Sequence, residues 1–209
     1  MHRYFDHNAT TPLLPEARAA MLAALDNAWG NPSSLHAPGR AAKQVVETAR
    51  ENLAALTGAQ PGELVFTGGG TEACNFALFG LARGYRLRHG APGHLAVSAI
   101  EHSAVKAAVH ALAEEGWAVT WVDPDAHGVI RPEAVSAALR PDTALCAVMH
   151  ANNEIGTVQP VEAIGALLQA RGIPFFCDMT QSLGKLPVDL SVIPAAAAAF
   201  AAHKIGGPK

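Results

Sequence analysis

The spacing of apolar positions changes along this chain. Up to about residue 58 it is helical. The stretch "ATTPLLPEARAAMLAALDNA" opens on Thr and Pro start signals and predicts an Ala/Leu helix over 15–28. "WGNPSS" is a turn-rich break. "LHAPGRAAKQVVETARENLAALTG" then predicts a long amphipathic helix, with Val45, Ala49, Leu53 and Leu56 on one face and Gly58 past its end.

From residue 63 short apolar runs replace that pattern: "ELVFT", "HLAVSA", "WAVTWVD", "ALCAVMHA" and "IPFFCDMT". Helical patterns over 71–88, 103–115, 132–139 and 161–170 separate most of them. Strands alternating with helices at this spacing predict βαβ units and a mostly parallel sheet. The runs are apolar almost throughout, as strands covered on both faces require. The expected fold class is α/β, a three-layer sandwich. The alanine-rich run 195–202 reads as one more buried strand of small side chains.

In such sheets ligands bind beyond the carboxyl ends of the strands. Polar groups gather there. Gly68-Gly69-Gly70-Thr71-Glu72 follows the first run, and Ile100-Glu101-His102 the second. Asn152-Asn153-Glu154, Asp178-Met179-Thr180-Gln181 and His203-Lys204 follow three others. The glycines allow close backbone approach, and the helix behind them offers free N–H groups, a cradle for phosphate with Thr71 adding a hydroxyl. A tight turn with a helix cap is the plainer reading. Gly68-x-Gly70-x-x-Ala73 also matches a dinucleotide fingerprint, but the acidic residue that should follow is missing and Glu101 comes too late.

Asp178 ends a buried strand, where a carboxylate is costly unless paired. A salt bridge or helix cap would satisfy it; so would a cationic ring nitrogen, as in pyridoxal phosphate. His102 reads as a cap, or as a group that stacks on a flat cofactor and shuttles protons. Asn153 and Gln181 are turn formers or donors to a ring oxygen. Lys204 follows small residues that would partly desolvate its amine and suit it to Schiff-base chemistry.

Composition narrows the alternatives. The chain has 209 residues, 50% hydrophobic, with a net charge of −3. That charge argues against nucleic acid as the main partner. No apolar stretch is long enough to predict a membrane span, and the N-terminus lacks the apolar core of a secretory signal. Three widely spaced cysteines, Cys74, Cys146 and Cys177, predict reduced thiols and a cytoplasmic location. Ten histidines show no paired metal-ligand spacing, so no metal is expected.

Seven stretches carry a resemblance: "DHNATTP", "GNPSSLHAPGR", "FTGGGTEACN", "EHSAV", "HANNEIGTVQP", "CDMTQSLGKLPVDL" and "HKIGGPK". In this order they resemble the cysteine desulfurases that feed iron–sulfur cluster assembly, a branch of the class V aminotransferases. The resemblance implies an incomplete aspartate-aminotransferase-like large domain over 15–209, behind an N-terminal extended segment 1–14. It implies pyridoxal 5'-phosphate as cofactor. Lys204 would bind it covalently and move the substrate's α-proton; Asp178 would pair with the pyridine nitrogen. His102 would stack on the ring and transfer protons. Asn153 and Gln181 would bond near the ring oxygen, and Gly70, Thr71 and His203 would hold the phosphate. The implied reaction turns L-cysteine into L-alanine and delivers sulfur as a persulfide to an iron–sulfur scaffold or other acceptor protein, in a homodimer. A selenocysteine lyase, another class V enzyme, or a noncatalytic partner-binding protein of the same fold are the alternatives.

The sequence departs from that pattern twice. Ala201 stands where many members have serine, which removes one phosphate hydrogen bond. The family's small C-terminal domain, persulfide cysteine and substrate-carboxylate arginine have no counterpart here, and none of the three cysteines matches the persulfide position. The expectation is the N-terminal half to three-fifths of such an enzyme, inactive by itself.

Overall fold

A computed structural model describes residues 3–209, so Met1 and His2 of the expected N-terminal segment lie outside the described residues. The chain divides into two compact units. Among the described residues the first comprises 3–66, 188–191 and 202–209, the second 67–187 and 192–201.

In the first unit, α1 spans Pro15–Asn27 and α2 Ala37–Thr57. Proline at the first turn of each suits a position whose N–H has no helical partner. The ring Nδ1 of His36 caps α2 by accepting the Gly39 N–H at 3.3 Å. Gly58 ends α2 in the left-handed region, φ 73°. The buried side of α2 is not the predicted one. Gly39, Ala42, Ala54 and Thr57 are buried, whereas Val45 and Leu56 are exposed. Small residues win because backbone approaches there: a Cβ at Gly39 would stand 2.4 Å from the Ser34 carbonyl, and Thr57 accepts the Leu190 N–H at 2.7 Å.

The second unit is a five-stranded sheet with helices α3 (Gly70–His89), α4 (Ser103–Glu114), α5 (Pro132–Ala138) and α6 (Val161–Gln169). Its strands are β1 (His94–Ser98), β2 (Ala118–Val122), β3 (Thr143–Ala147), β4 (Phe175–Asp178) and β5 (Ala197–Ala199). Their order is β2-β1-β3-β4-β5, and every pairing is parallel. Leu95, Val97, Leu145, Ala147 and Phe176 face a core built with Leu78 of α3 and Val105, Val109 and Leu112 of α4. Phe175 turns the other way, against Gly165 of α6. The fold is therefore the expected α/β sandwich. His94 joins three strands: its ring nitrogens lie 2.9 Å from Thr143 Oγ1 and 2.8 Å from Thr120 Oγ1.

Two strand expectations are corrected. "ELVFT" begins at the last residue of a short 3-10 turn, Pro61–Glu63, and is otherwise irregular chain with Val65 and Phe66 exposed. Its composition suits a strand, but no strand pairs with it among the described residues, and a strand exists only through a partner. The alanine run forms only the three-residue β5, because pairing to β4 ends at Asp178↔Ala199.

Candidate active site

The strand order contains a reversal. The chain runs outward from β1 to β2, then crosses to β3 on the other side of β1. Ligands in open α/β sheets bind at the carboxyl ends beside such a point. Two side chains bridge it. Glu101, beyond β1, accepts the N–H of Met149, beyond β3, at 2.5 Å. Asn152 donates its amide to the Ile100 carbonyl at 3.0 Å and accepts the N–H groups of Glu154 and Ile155 at 2.8 and 3.0 Å. Asn152 thus shapes the "NNEIG" loop and sets the half-buried Asn153 next to it.

Asp178 closes β4 and is 5% exposed. Its Oδ1 accepts the Thr180 N–H at 2.9 Å. The Cys74 thiol donates to Oδ2, with the sulfur 3.9 Å away. Cys74 lies about one turn into α3, whose first residue is Gly70. A Cβ on Gly70 would stand 3.2 Å from Ala201 Cβ and 3.7 Å from Thr180 Oγ1. The start of α3, with its unsatisfied N–H groups and the exposed Thr71, is therefore held at the same sheet edge as the Asp178 carboxylate.

His102 is the N-cap of α4: its Nδ1 accepts the Ala104 N–H at 3.2 Å. The neutral ring then carries its proton on Nε2, on an exposed side chain. Gln181 is buried in the turn after β4, and its Oε1 accepts from Lys185 Nζ at 2.6 Å.

His203 and Lys204 belong to the first unit, where a 3-10 turn, Ala202–Lys204, is clasped by the N-terminal segment. Lys204 Nζ donates to the carbonyls of Asn8 and Ala9 at 2.6 and 2.8 Å. His203 Nδ1 lies 3.1 Å from Thr10 Oγ1. Thr11 ties the turn twice: its hydroxyl donates to the His203 carbonyl at 2.8 Å and accepts the Gly206 N–H at 2.7 Å. The "NATT" motif thus holds the segment that carries the lysine.

The sheet interior is electrostatically dry. Burial pushes the thiols of Cys74, Cys146 and Cys177 well above their ordinary range, aided by the nearby carboxylates. Protonated and buried, none suits a sulfur-accepting nucleophile. The sequence assigns Cys74 and Asn152 no specific role and sets Glu101 aside. For Glu101 and Asn152 a position just beyond a strand was the available signal; Cys74 lies within α3, and its partner comes from β4.

The chain matches the aminotransferase class-V family over residues 3–209. It belongs to that family. It is 44% identical to a cysteine desulfurase IscS of Serratia proteamaculans over 99% of this chain and 51% of that protein. The same identity holds to a cysteine desulfurase IscS of Anaeromyxobacter, over 99% of this chain and 50% of that protein. Among solved structures, one titled "SspA in complex with cysteine" superposes with a TM-score of 0.94 at 38% identity, covering 100% of this chain and 59% of that one. DndA from Streptomyces lividans superposes with a TM-score of 0.83 at 40% identity, covering 99% and 57%. The chain spans about half the length of the curated relatives it matches.

Class-V aminotransferases of the desulfurase type are pyridoxal-phosphate enzymes, and the second unit fits that group. Asp178 is a buried carboxylate with no ion-pair partner among the described residues. A carboxylate so placed suits a cationic ring nitrogen, and the N–H groups at the start of α3 suit the phosphate.

Proposed function

We propose that this class-V chain is the cofactor-binding part of a cysteine desulfurase that converts L-cysteine to L-alanine. Its sulfur would leave as a persulfide on a thiol other than the three in this chain. The observation that carries the reading is Asp178: buried, uncompensated by any described cation, and fixed by Thr180 and Cys74 on the same edge as the start of α3.

Bound pyridoxal phosphate supplies an electron sink that makes the α-proton of an amino acid acidic and opens its β-carbon–sulfur bond. The protein's residues divide the remaining work. Asp178 holds the ring-nitrogen proton by accepting it as a hydrogen bond. Gly70, Thr71 and the N–H groups of the first turn of α3 bind the phosphate, with His203 assisting. His102 covers the ring and presents its Nε2 proton; Asn153 and Gln181 orient the ring oxygen. Lys204 Nζ anchors the cofactor and carries the α-proton. Lys204 and His203 receive these roles from the family match of "HKIGGPK" alone.

An iron–sulfur scaffold or other sulfur-acceptor protein is the proposed partner. The exposed apolar residues Leu25, Leu35 and Leu56 support a homodimer. The unpaired, buried thiols support a reducing, cytoplasmic location.

The test is reconstitution of the purified protein with pyridoxal phosphate, followed by absorbance and by alanine release from L-cysteine. A visible cofactor band lost in Lys204→Ala, with alanine formed by the complete protein, is expected. A colourless wild-type protein, or one that turns over only selenocysteine, overturns the reading.

A further inference from the structure

The N-cap of α3 is Gly69, which has no side chain to offer the free N–H groups of the first turn. Glu72, the third residue of the helix, braces the entry from the other direction: its Oε2 accepts the Gly68 N–H at 2.5 Å. Two further bonds hold the same stretch. The Thr67 hydroxyl donates to the Gly69 carbonyl at 3.1 Å, and that carbonyl also accepts the Ala73 N–H at 3.0 Å.

Three consecutive glycines lose more conformational freedom on ordering than any other residues would. A ligand that must itself order such a loop binds more weakly for it. A brace already in place removes part of that penalty. A carboxylate here could instead compete with an incoming anion, and the donor it uses decides between the two roles. Glu72 takes the N–H of Gly68, ahead of the helix. The N–H groups of Gly70 and Thr71, which open the helix, have no hydrogen-bond acceptor among the described residues. Glu72 is exposed, so solvent ions screen its charge from a neighbouring phosphate.

We propose that Glu72 is a positioning residue for the phosphate cradle: its carboxylate fixes Gly68 and Gly69 ahead of α3 and leaves the N–H groups of Gly70 and Thr71 for the anion. The inference rests on the cofactor reading for the identity of that anion; the bond between Glu72 and the glycine loop does not depend on it.

The experiment titrates the purified protein, as wild type, Glu72→Gln and Glu72→Ala, with pyridoxal phosphate and separately with inorganic phosphate. Hydrogen exchange of the Gly68 amide is followed by NMR without either ligand. Glutamine keeps an oxygen for the Gly68 N–H, so Glu72→Gln should bind both ligands within about twofold of wild type. Glu72→Ala should bind both about fivefold more weakly, and its Gly68 amide should exchange faster. Affinity in Glu72→Ala equal to or tighter than wild type overturns the proposal, as does a Glu72→Gln protein as weak as Glu72→Ala. If Glu72→Ala fails to fold, the Gly68 amide of the wild type decides, and exchange at the unprotected rate overturns the proposal. Inorganic phosphate that separates the variants while pyridoxal phosphate fails to bind overturns the functional reading alone; failure of the wild type to bind either ligand overturns both.

Discussion

The Cys74 thiol donates to Asp178, its sulfur 3.9 Å from Oδ2. Two elements meet in that contact: α3, which starts at the glycines, and β4, which ends at the carboxylate. A thiol is a weak donor, so it steadies the carboxylate without neutralising it. Cys74→Ala leaves Oδ2 without its donor. We expect weaker cofactor retention by about 1 kcal/mol, a few-fold in Kd, with Cys74→Ser restoring most of it. Equilibrium titration with pyridoxal phosphate measures the difference; equal affinities in all three proteins would show the contact to be idle.

Burial and neighbouring carboxylates hold Cys74, Cys146 and Cys177 as thiols. A thiol reagent added at neutral pH should therefore label none of them in the folded chain and all three after denaturation. Rapid labelling of any one in the native protein contradicts the described packing.

Thr11 and Gly206 fix the segment that carries Lys204. Gly206 has φ 81°, and a Cβ there would fall 2.4 Å from Leu14 Cγ. Gly206→Ala combines a left-handed alanine with that clash, so a loss of at least about 1–2 kcal/mol is expected. Thr11→Val removes a hydroxyl that both donates to His203 and accepts from Gly206, with a similar loss. Urea denaturation of each variant gives the value, and unchanged midpoints would refute the clasp.

Ala201 is buried, and its methyl stands near Gly70 at the start of α3. Ala201→Ser would place a hydroxyl beside the proposed phosphate cradle. One added hydrogen bond to a charged phosphate is worth about 1.5–3 kcal/mol when well aligned. Pyridoxal phosphate, or inorganic phosphate as a competitor, should then bind tenfold or more tighter by about that amount. Isothermal titration calorimetry decides it.

His94 gives stability a pH dependence. Burial first, then the Arg140 charge, lower its proton affinity below the ordinary value of 6.5, with Asp142 opposing. Above that value both folded and unfolded forms are neutral, and His94 adds no slope. Below it the unfolded chain binds the proton and the folded chain resists, so stability falls as pH drops. The slope from one such group approaches about 1.4 kcal/mol per pH unit. His150 and His203 are lowered too, so His94→Gln should flatten the slope between pH 6.5 and 5 without abolishing it. Chemical denaturation at stepped pH tests this.

Most of the element pattern was legible because it is written in local chemistry. The helix predicted over 15–28 is found at Pro15–Asn27, and the run "HLAVSA" becomes β1 at His94–Ser98. Continuous apolar runs marked strands: β1, β3 and β4 are buried throughout, whereas β2 and β5, at the two ends of the strand order, are mostly half-buried. The readings that failed depended on partners. "ELVFT" has the composition of a strand and no strand to pair with among the described residues. The large residues of α2 were expected to face inward; its small ones do, because neighbouring backbone comes too close for side chains.

The sequence by itself determined the fold class and marked Asp178, His102 and Lys204 as candidates. Motif and periodicity carry that information because they act over a few residues. The tertiary structure alone decided the sheet order, and with it that Glu101 meets Met149, that Asn152 meets Ile100, and that Cys74 meets Asp178. Those contacts join residues up to 104 positions apart. No spacing in the chain encodes them; they follow from how parallel strands align and where buried polar groups must find partners.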